Sequence, residues 1–262
     1  MLEDLGFHQM GKVLKRTYIL DHFKELLEIK VFEDAYQATQ NHVPRRFKRY
    51  FSDAHKGGAP ADSSREAKFE RGIWDEYGPN SKKAWKSFFK DDHVCILDYQ
   101  FPLFAKRGKE GWGAIDLLGA DKNDLPVVIE LKSDVSQETP LRMLIESFAY
   151  GIAIRTLWNC PRSKLKTQFI QKIKVDNPPH LNRLSLILLA PENYWKGWEE
   201  WLIDGKPQPK ARESFKRLSE MIEGKGFRIV LAKLNYYEKT KGVFSNFSAE
   251  KTKPWEDIKT SS

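Results

Sequence analysis

The chain has 262 residues, which is enough to bury the core of one large domain or two small ones. Its 44 lysines and arginines exceed its 36 acidic residues, and the formal charge of +8 suits a polyanionic partner. Cys95 and Cys160 form no CxxC motif, so we expect reduced thiols in a cytoplasmic protein. The six histidines form no metal-type cluster, so a structural zinc site is not expected. No long apolar run is present, so no membrane span is expected either.

Residues 1–62 are predicted to form a helical N-terminal extension that ends in a linker. Apolar residues in Tyr18–Val31 recur at helical spacing, and Ser52–Ser64 contains the Gly and Pro residues of a linker. Between them, Pro44–Phe51 interleaves aromatic rings with four cations. These cations are Arg45, Arg46, Lys48 and Arg49. Two interpretations stay open: a clamp on the phosphates and bases of a nucleic acid, or a helix with a solvated basic side and an aromatic core side.

The main domain, residues 63–240, is predicted to begin with a helix over Ser64–Tyr77, capped by Ser63 or Ser64. Glu66 and Glu70 fall on its otherwise apolar face, where a carboxylate needs a partner. In the other interpretation both are partly exposed helix glutamates.

The next element is a strand predicted over Val94–Phe104. Alternation places Tyr99 on the same face as Leu97 and Phe101. The polar loop that follows contains Lys106, which either contacts phosphate or belongs to a solvated turn.

The stretch Gly111–Lys132 is predicted to form two strands joined by a polar turn centred on Asn123. Folding the strands about Asn123 places Asp116 opposite Glu130. The same register pairs Leu118 with Val128 and Ala114 with Lys132. Because alternate residues share a face, Asp116, Glu130 and Lys132 meet on one side of the sheet, together with Leu118 and Val128.

Two buried carboxylates side by side are costly, because like charges repel and lose hydration. A divalent cation removes this cost, and carboxylate oxygens suit Mg²⁺ or Mn²⁺. Such an ion activates a bound water and stabilises charge on a phosphoryl oxygen, and Lys132 could orient that water. The residues therefore favour phosphodiester hydrolysis. The alternative is a solvent-facing Asp116 and a surface pair of Glu130 and Lys132.

The rest of the chain is predicted to alternate helices and strands around a mixed central sheet, an α/β architecture. The helix Pro140–Leu157 carries Arg142, Glu146 and Tyr150 at intervals of four, either on an edge that faces the site or on an exposed side. The later elements are a buried strand Leu184–Ala190, a helix Tyr194–Leu202 whose three tryptophans either stack on bases or pack, a helix Arg212–Glu223 and a strand Phe227–Leu234. The polar stretch from Asn235 on is predicted to be poorly ordered, with residues 241–262 as a C-terminal tail.

Asp116, followed by the strand Val127–Ile129 and then Glu130-Leu131-Lys132, resembles the core motif of the PD-(D/E)xK nuclease superfamily, with Ile115 in place of the Pro of the motif's name. RecB-like members carry a Q-x-x-x-Y motif on the following helix, where this chain has Glu146-Ser-Phe-Ala-Tyr150. The resemblance covers about Ser64–Tyr237. It implies a restriction-endonuclease-like fold, in which a mixed central sheet is flanked by helices.

The resemblance also implies roles for individual residues. Asp116 and Glu130 would hold Mg²⁺ or Mn²⁺, with the backbone carbonyl of Leu131 as an additional ligand. Lys132 would position the attacking water. A glutamate on the helix ahead of the first strand would complete the site, with Glu70 as first choice and Glu66 as second. In a competing assignment Ser81–Lys90, which has no acidic residue, is the equivalent helix.

The expected partner is nucleic acid, DNA rather than RNA, and a homodimer is compatible with the sequence. In addition to the cations named above, Arg142, Glu146 and Tyr150 are predicted to bind the substrate. A second hypothesis is a non-catalytic nucleic-acid-binding or scaffold protein that retains the nuclease fold. A third is a sequence-specific restriction enzyme, which shares the chemistry but needs side chains that read base edges.

Overall fold

The computed structural model describes residues 50–51, 64–102, 114–161, 163–176, 180–181, 183–198, 202–203, 206–207 and 209–253. The predicted substrate-binding residues outside these ranges are Arg45, Arg46, Lys48, Arg49 and Lys106. The helices are α1 (Arg65–Tyr77), α2 (Pro140–Asn159), α3 (Leu165–Ile173), α4 (Glu192–Gly197) and α5 (Pro209–Glu223). The strands are β1 (Val94–Pro102), β2 (Ala114–Asp121), β3 (Pro126–Leu131), β4 (Leu184–Pro191), β5 (Leu202–Ile203), β6 (Lys206–Pro207), β7 (Phe227–Thr240) and β8 (Val243–Lys251). None of the helices in the described ranges has the length and apolar character that a membrane span requires.

Six strands form one mixed sheet in the order β1-β2-β3-β4-β7-β8, and β5 pairs with β6 separately. The pairs β3–β4 and β4–β7 are parallel, whereas β1–β2, β2–β3 and β7–β8 are antiparallel. The sheet curls, because the segment before β1 reaches the far edge: Phe89 bridges to Ala249 of β8. The predicted α/β class with a mixed central sheet and flanking helices is therefore confirmed.

Helices cover the two faces of the sheet and build two separate apolar clusters. Helix α1 contacts both β1 and β8, so it lies inside the curl, whereas α2 packs on β3 and β4 from the other side. The inner cluster, which α1 shares with the sheet, includes Phe69, Ile73, Leu117, Val127, Ile129 and Leu131. The outer cluster, which includes residues of α2, α3 and α5, contains Leu118, Val128, Phe148, Phe169 and Leu218. The strand β3, with Val128 on one side and its neighbours on the other, therefore separates the two clusters as its alternation predicts.

Several predicted elements are confirmed. Ser64 caps α1, since its Oγ accepts the amide of Ala67 at 3.1 Å. Pro140 occupies the first turn of α2, and every residue of β4 is buried, as expected for a central parallel strand. The predicted helix Tyr194–Leu202 is too long, since α4 ends at Gly197 and Leu202 begins β5. Its two described tryptophans pack rather than stack on bases: Trp195 and Trp198 are buried, and Nε1 of Trp195 donates to the carbonyls of Ala190 and Ala232. Trp201 lies outside the described residues.

Three other predictions about local structure are wrong. The stretch from Asn235 on is not disordered over its described part, because β7 continues to Thr240 and Val243–Lys251 forms β8, which buries Phe247 and Ala249 in the inner cluster. The competing helix at Ser81–Lys90 is instead a series of turns. The rings of Tyr50 and Phe51 pack in the outer cluster, so these two cannot stack on bases as the clamp required.

Gly119 tests how tightly β1 fits against β2, the strand that carries Asp116. A Cβ at Gly119 would lie 2.7 Å from the carbonyl oxygen of Cys95 on β1, and backbone there cannot move aside cheaply. We expect Gly119→Ala to lower the free energy of unfolding by about 1–3 kcal/mol. The control Gly197→Ala meets nothing within 4 Å and should be neutral or stabilising by about 0.5 kcal/mol. Urea unfolding of both variants measures the difference, and equal stabilities would contradict this packing.

Candidate metal centre

The site lies where β2 and β3 separate. Their ladder follows the predicted register, with Leu118 opposite Val128, but its last pair is Leu117 with Ile129. Beyond that point the amide of Leu131 donates to Oδ2 of Asp116 at 2.7 Å. The strands separate here, and the Asp116 side chain instead of a backbone carbonyl accepts the Leu131 amide. The predicted ladder pairs of Asp116 with Glu130 and of Ala114 with Lys132 are therefore wrong.

Asp116 sits at a break in the alternation of β2. Ile115 belongs to the outer cluster although Leu117, two residues on, belongs to the inner one. The neighbouring strand β1 is irregular nearby. Gln100, which lies opposite Asp116, has a left-handed φ of 47°, and a bulge shifts the register between Ile96 and Asp98, opposite Gly119 and Leu118. Such a bulge increases the local twist of a strand pair. The carboxylate of Asp116 lies beside the glutamates of α1 inside the curl, whereas Leu118 belongs to the outer cluster, so the prediction that these two residues share a face is wrong.

The same bulge changes β1. Tyr99 packs against the inner cluster, whereas Leu97 and Phe101 belong to the outer one, so the predicted common face of these three residues is wrong. Past the bulge, the side chain of Gln100 reaches α1, and its Nε2 donates to Oε2 of Glu70. A non-glycine residue in the left-handed region is uncommon and is often found at functional sites.

Helix α1 brings two carboxylates to Asp116. Glu66 and Glu70 are one helical turn apart, and one oxygen from each lies within 4.8 Å of the other and of a carboxylate oxygen of Asp116. Glu70 is buried and Glu66 half-buried. Three oxygens at this separation suit one divalent cation, which would bind each at about 2.0–2.6 Å. The interpretation of both as partly exposed helix glutamates is therefore wrong for Glu70, which is buried, whereas Glu66 is partly exposed.

Lys132 is buried among carboxylates, with a side-chain exposure of 5%. Its Nζ lies 2.9 Å from Glu130, 3.0 Å from Glu138, 3.3 Å from Glu146 and 3.7 Å from Glu66. The surface pair considered for Glu130 and Lys132 is wrong, since both are buried. A buried ammonium group of this kind is stable only when its partners also compensate its lost hydration.

Helix α2 completes the cluster from the outer side of the sheet. Arg142 contacts Oε1 of Glu146 through both Nε and Nη2 at 3.1 Å. Glu146 and Tyr150 are 7% and 8% exposed, so the interpretation of this edge as an exposed helix side is wrong. The cluster thus contains six carboxylates but only two cations, Lys132 and Arg142, among the residues named here. The carboxylates are Glu66, Glu70, Asp116, Glu130, Glu138 and Glu146.

This excess of acid changes the titration of the site. Burial raises the pKa of Asp116 and of Glu130 well above the usual range, and each is raised further by a neighbouring carboxylate. Burial likewise raises the pKa of Glu70 to about 8. Burial alone would lower the pKa of Lys132, but the carboxylates of Glu130 and Glu146 outweigh it and hold that pKa well above its ordinary value. These carboxylates therefore favour the protonated form of Lys132 in the metal-free protein.

The residues fit a divalent cation. Oε2 of Glu130 is buried and has no hydrogen-bond partner among the described residues, and Oε2 of Glu146 faces only Lys132 without hydrogen-bond geometry. An ionised carboxylate oxygen accepts only, so neighbouring acids cannot satisfy one another without a proton or a cation between them. Carboxylate oxygens are hard ligands, and they suit a hard divalent cation.

No protein-family model, curated protein or solved structure matches the chain. The function of the site is therefore inferred from its geometry and chemistry. Two of its residues were not singled out in the sequence: Gln100, which holds Glu70, and Glu138, which lies between Lys132 and Arg142. Glu138 lies in a short segment without periodicity, and no sequence signal marks it.

Glu70→Gln tests the buried charge through the pH dependence of stability. The pKa of Glu70 in the folded protein, about 8, exceeds its ordinary value of 4.5, so the folded state holds this proton more tightly than the unfolded state. Metal-free protein should therefore lose stability as the pH rises from about 5 to about 8. In Glu70→Gln that loss should be smaller, and the free energy of unfolding at pH 8 should exceed that of the wild type.

Urea unfolding in EDTA between pH 5 and pH 8.5 measures this effect. Asp75→Asn removes a carboxylate of the same helix that is 53% exposed, and it should keep the wild-type pH dependence. A wild-type stability that does not fall over this range would show that the acids of the cluster are ionised at little cost.

Proposed function

We propose that this protein is a metal-dependent nuclease of the PD-(D/E)xK type that hydrolyses phosphodiester bonds in DNA. The observation that carries the proposal is the meeting of Glu66, Glu70 and Asp116 within 4.8 Å of one another, beside the buried cation Lys132. A binding module has no need of so costly a cluster, because unpaired buried carboxylates destabilise a fold. The mixed sheet with α1 on one face and α2 on the other is compatible with a restriction-endonuclease-like fold.

Asp116, Glu70 and Glu66 would hold Mg²⁺ or Mn²⁺, with Glu130 and the Leu131 carbonyl as additional ligands. The Leu131 carbonyl is suitably directed. The amide of Lys132 donates to Leu189 on β4 at 2.9 Å, and the carbonyl of the same trans peptide points the opposite way, toward the side of β2. When bound, the ion supplies a more acidic water and stabilises charge on a phosphoryl oxygen.

The protein's own residues then orient the reaction. Lys132 would donate a hydrogen bond that positions a water or offsets charge on a phosphate oxygen, since the surrounding carboxylates raise its pKa and favour its protonated form. Gln100 fixes the carboxylate of Glu70, and the Leu131 amide fixes that of Asp116. The formal charge of +8 over the whole chain supports a nucleic acid as the partner, with affinity that falls steeply as salt rises.

Asp116→Asn is the central variant. The asparagine oxygen can still accept the Leu131 amide, so the fold is kept, but the charge that would bind the ion is lost. We expect this variant to show no detectable cleavage of plasmid or single-stranded DNA in Mg²⁺ or Mn²⁺. Wild type should cleave both with either ion, and EDTA should abolish that cleavage. The control Asp75→Asn should cleave normally.

Lys132→Met should lower kcat by about 10²- to 10³-fold, as the loss of one charge-stabilising donor does in other enzymes. Lys90→Met removes a lysine whose side chain is 56% exposed and should leave kcat unchanged. Full cleavage by wild type in EDTA, or by Asp116→Asn, would contradict the proposal.

Isothermal titration with Mn²⁺ separates the nuclease from a non-catalytic scaffold. A nuclease should bind Mn²⁺ in wild type and lose that binding in Asp116→Asn. Binding of DNA without any Asp116-dependent Mn²⁺ site would favour the scaffold.

A further inference from the structure

Glu138 joins the two cations of the site. Its Oε2 lies 3.0 Å from Nζ of Lys132, and its Oε1 lies 2.9 Å from Nη1 of Arg142. Each oxygen of one carboxylate thus contacts a different cation. This is the arrangement in which an ammonium and a guanidinium group hold two oxygens of a phosphate.

We propose that Lys132 and Arg142 form a binding site for a backbone phosphate of the substrate, and that Glu138 occupies this site until the phosphate displaces it. The inference rests on the proposed function for the identity of the ligand, a phosphodiester. The geometry of the anion site is that of the two cations with the Glu138 carboxylate between them, and it does not depend on the nuclease proposal.

Exposure identifies Glu138 as the carboxylate that can leave. Among the four that contact Lys132, Glu130 and Glu146 have side-chain exposures of 3% and 9%, and neither can move without unpacking the sheet or α2. Glu138 is 32% exposed and Glu66 28%, but Glu66 is the more distant at 3.7 Å and belongs to the metal set. Glu138 therefore lies on the solvent side of Lys132, where a ligand would arrive.

The backbone around Glu138 is held in place. Its carbonyl accepts the hydroxyl of the buried Tyr194 at 2.9 Å, and its amide donates to Oγ of Ser136 at 3.3 Å. The next residue, Thr139, caps α2 through the amide of Arg142. Exchange of Glu138 for a phosphate therefore needs only a rotation of its side chain, and the two cations stay where they are.

An internal carboxylate at this position has two consequences. When no substrate is bound it adds to the ion pairs that Glu130 and Glu146 make with Lys132 and Arg142, which limits the cost of a buried cation. It also competes with every incoming anion, so it weakens binding of the substrate by the strength of its own ion pairs. Removing its charge should therefore strengthen phosphate binding.

Glu138→Gln keeps the shape and removes the charge. We expect it to bind inorganic phosphate about fivefold to tenfold more tightly than wild type, because partly exposed ion pairs contribute about that factor. The matched control is Glu250→Gln. Glu250 also lies between two cations, since its carboxylate is 2.8 Å from Lys233 and 3.3 Å from Lys90, and its side chain is 28% exposed. It belongs to β8, which is three strands away from β3 in the sheet. This control should bind phosphate as wild type does.

Calorimetric titration with phosphate, with and without Mg²⁺, measures these affinities, and anisotropy of a labelled phosphorothioate duplex measures the same change for a nucleic acid. Adding Arg142→Gln to Glu138→Gln should cancel the gain. Glu138→Ala serves as a second variant if Glu138→Gln unfolds. Phosphate binding that is undetectable in both Glu138 variants, or no tighter than in wild type, overturns the inference.

The outcomes separate the two proposals. A gain in phosphate affinity without DNA cleavage by wild type would keep the anion site and overturn the nuclease. If wild type cleaves DNA but neither Glu138→Gln nor Glu138→Ala binds phosphate more tightly than wild type, the nuclease is kept and the anion site is overturned.

Discussion

The buried ammonium group of Lys132 and the excess of carboxylates around it govern the site. Glu130, Glu138, Glu146 and Glu66 all lie within 4.0 Å of its Nζ, and Asp116 and Glu70 add further acid beside them. A buried ion pair balances its desolvation only when charge and hydrogen bonds are both satisfied. Here they are not, because acids outnumber cations and the pKa of several acids rises. The cluster is therefore stable in one of two ways: protonated, or with a cation bound.

The cluster forms at the point where β2 and β3 separate and their ladder of hydrogen bonds ends. Asp116 lies beside α1 opposite the left-handed Gln100, while Nζ of Lys132 contacts Glu66 of α1 and Glu146 of α2. Acids from the inner and outer sides of the sheet can meet only where the ladder has opened. Gln100, the Leu131 amide and Tyr194 then hold the surrounding groups in position. On the solvent side of the buried Lys132, the carboxylate of Glu138 and the guanidinium of Arg142 are both partly exposed.

Most of the fold follows from local patterns. The apolar run of β4, the capped α1 and the proline at the start of α2 are properties of short segments, and each is found in its predicted place. The failures have one cause, which is that neighbours supplied from elsewhere overrode the local pattern. β8 looks polar, yet Phe247 and Ala249 complete the inner cluster. Ser81–Lys90 has no helix because Phe88 and Phe89 pair with β8.

The sequence by itself determined the class of the fold and the chemistry available at one hairpin: Asp116, Glu130 and Lys132, and the helix glutamates Glu66 and Glu70. Periodicity and charge depend only on the order of residues, so they can be read without coordinates. The tertiary structure alone decided which side Asp116 faces, that Gln100 holds Glu70 and that Glu138 joins Lys132 to Arg142. These contacts depend on a bulge, on the end of a ladder and on a loop, where no periodic pattern fixes the direction of a side chain.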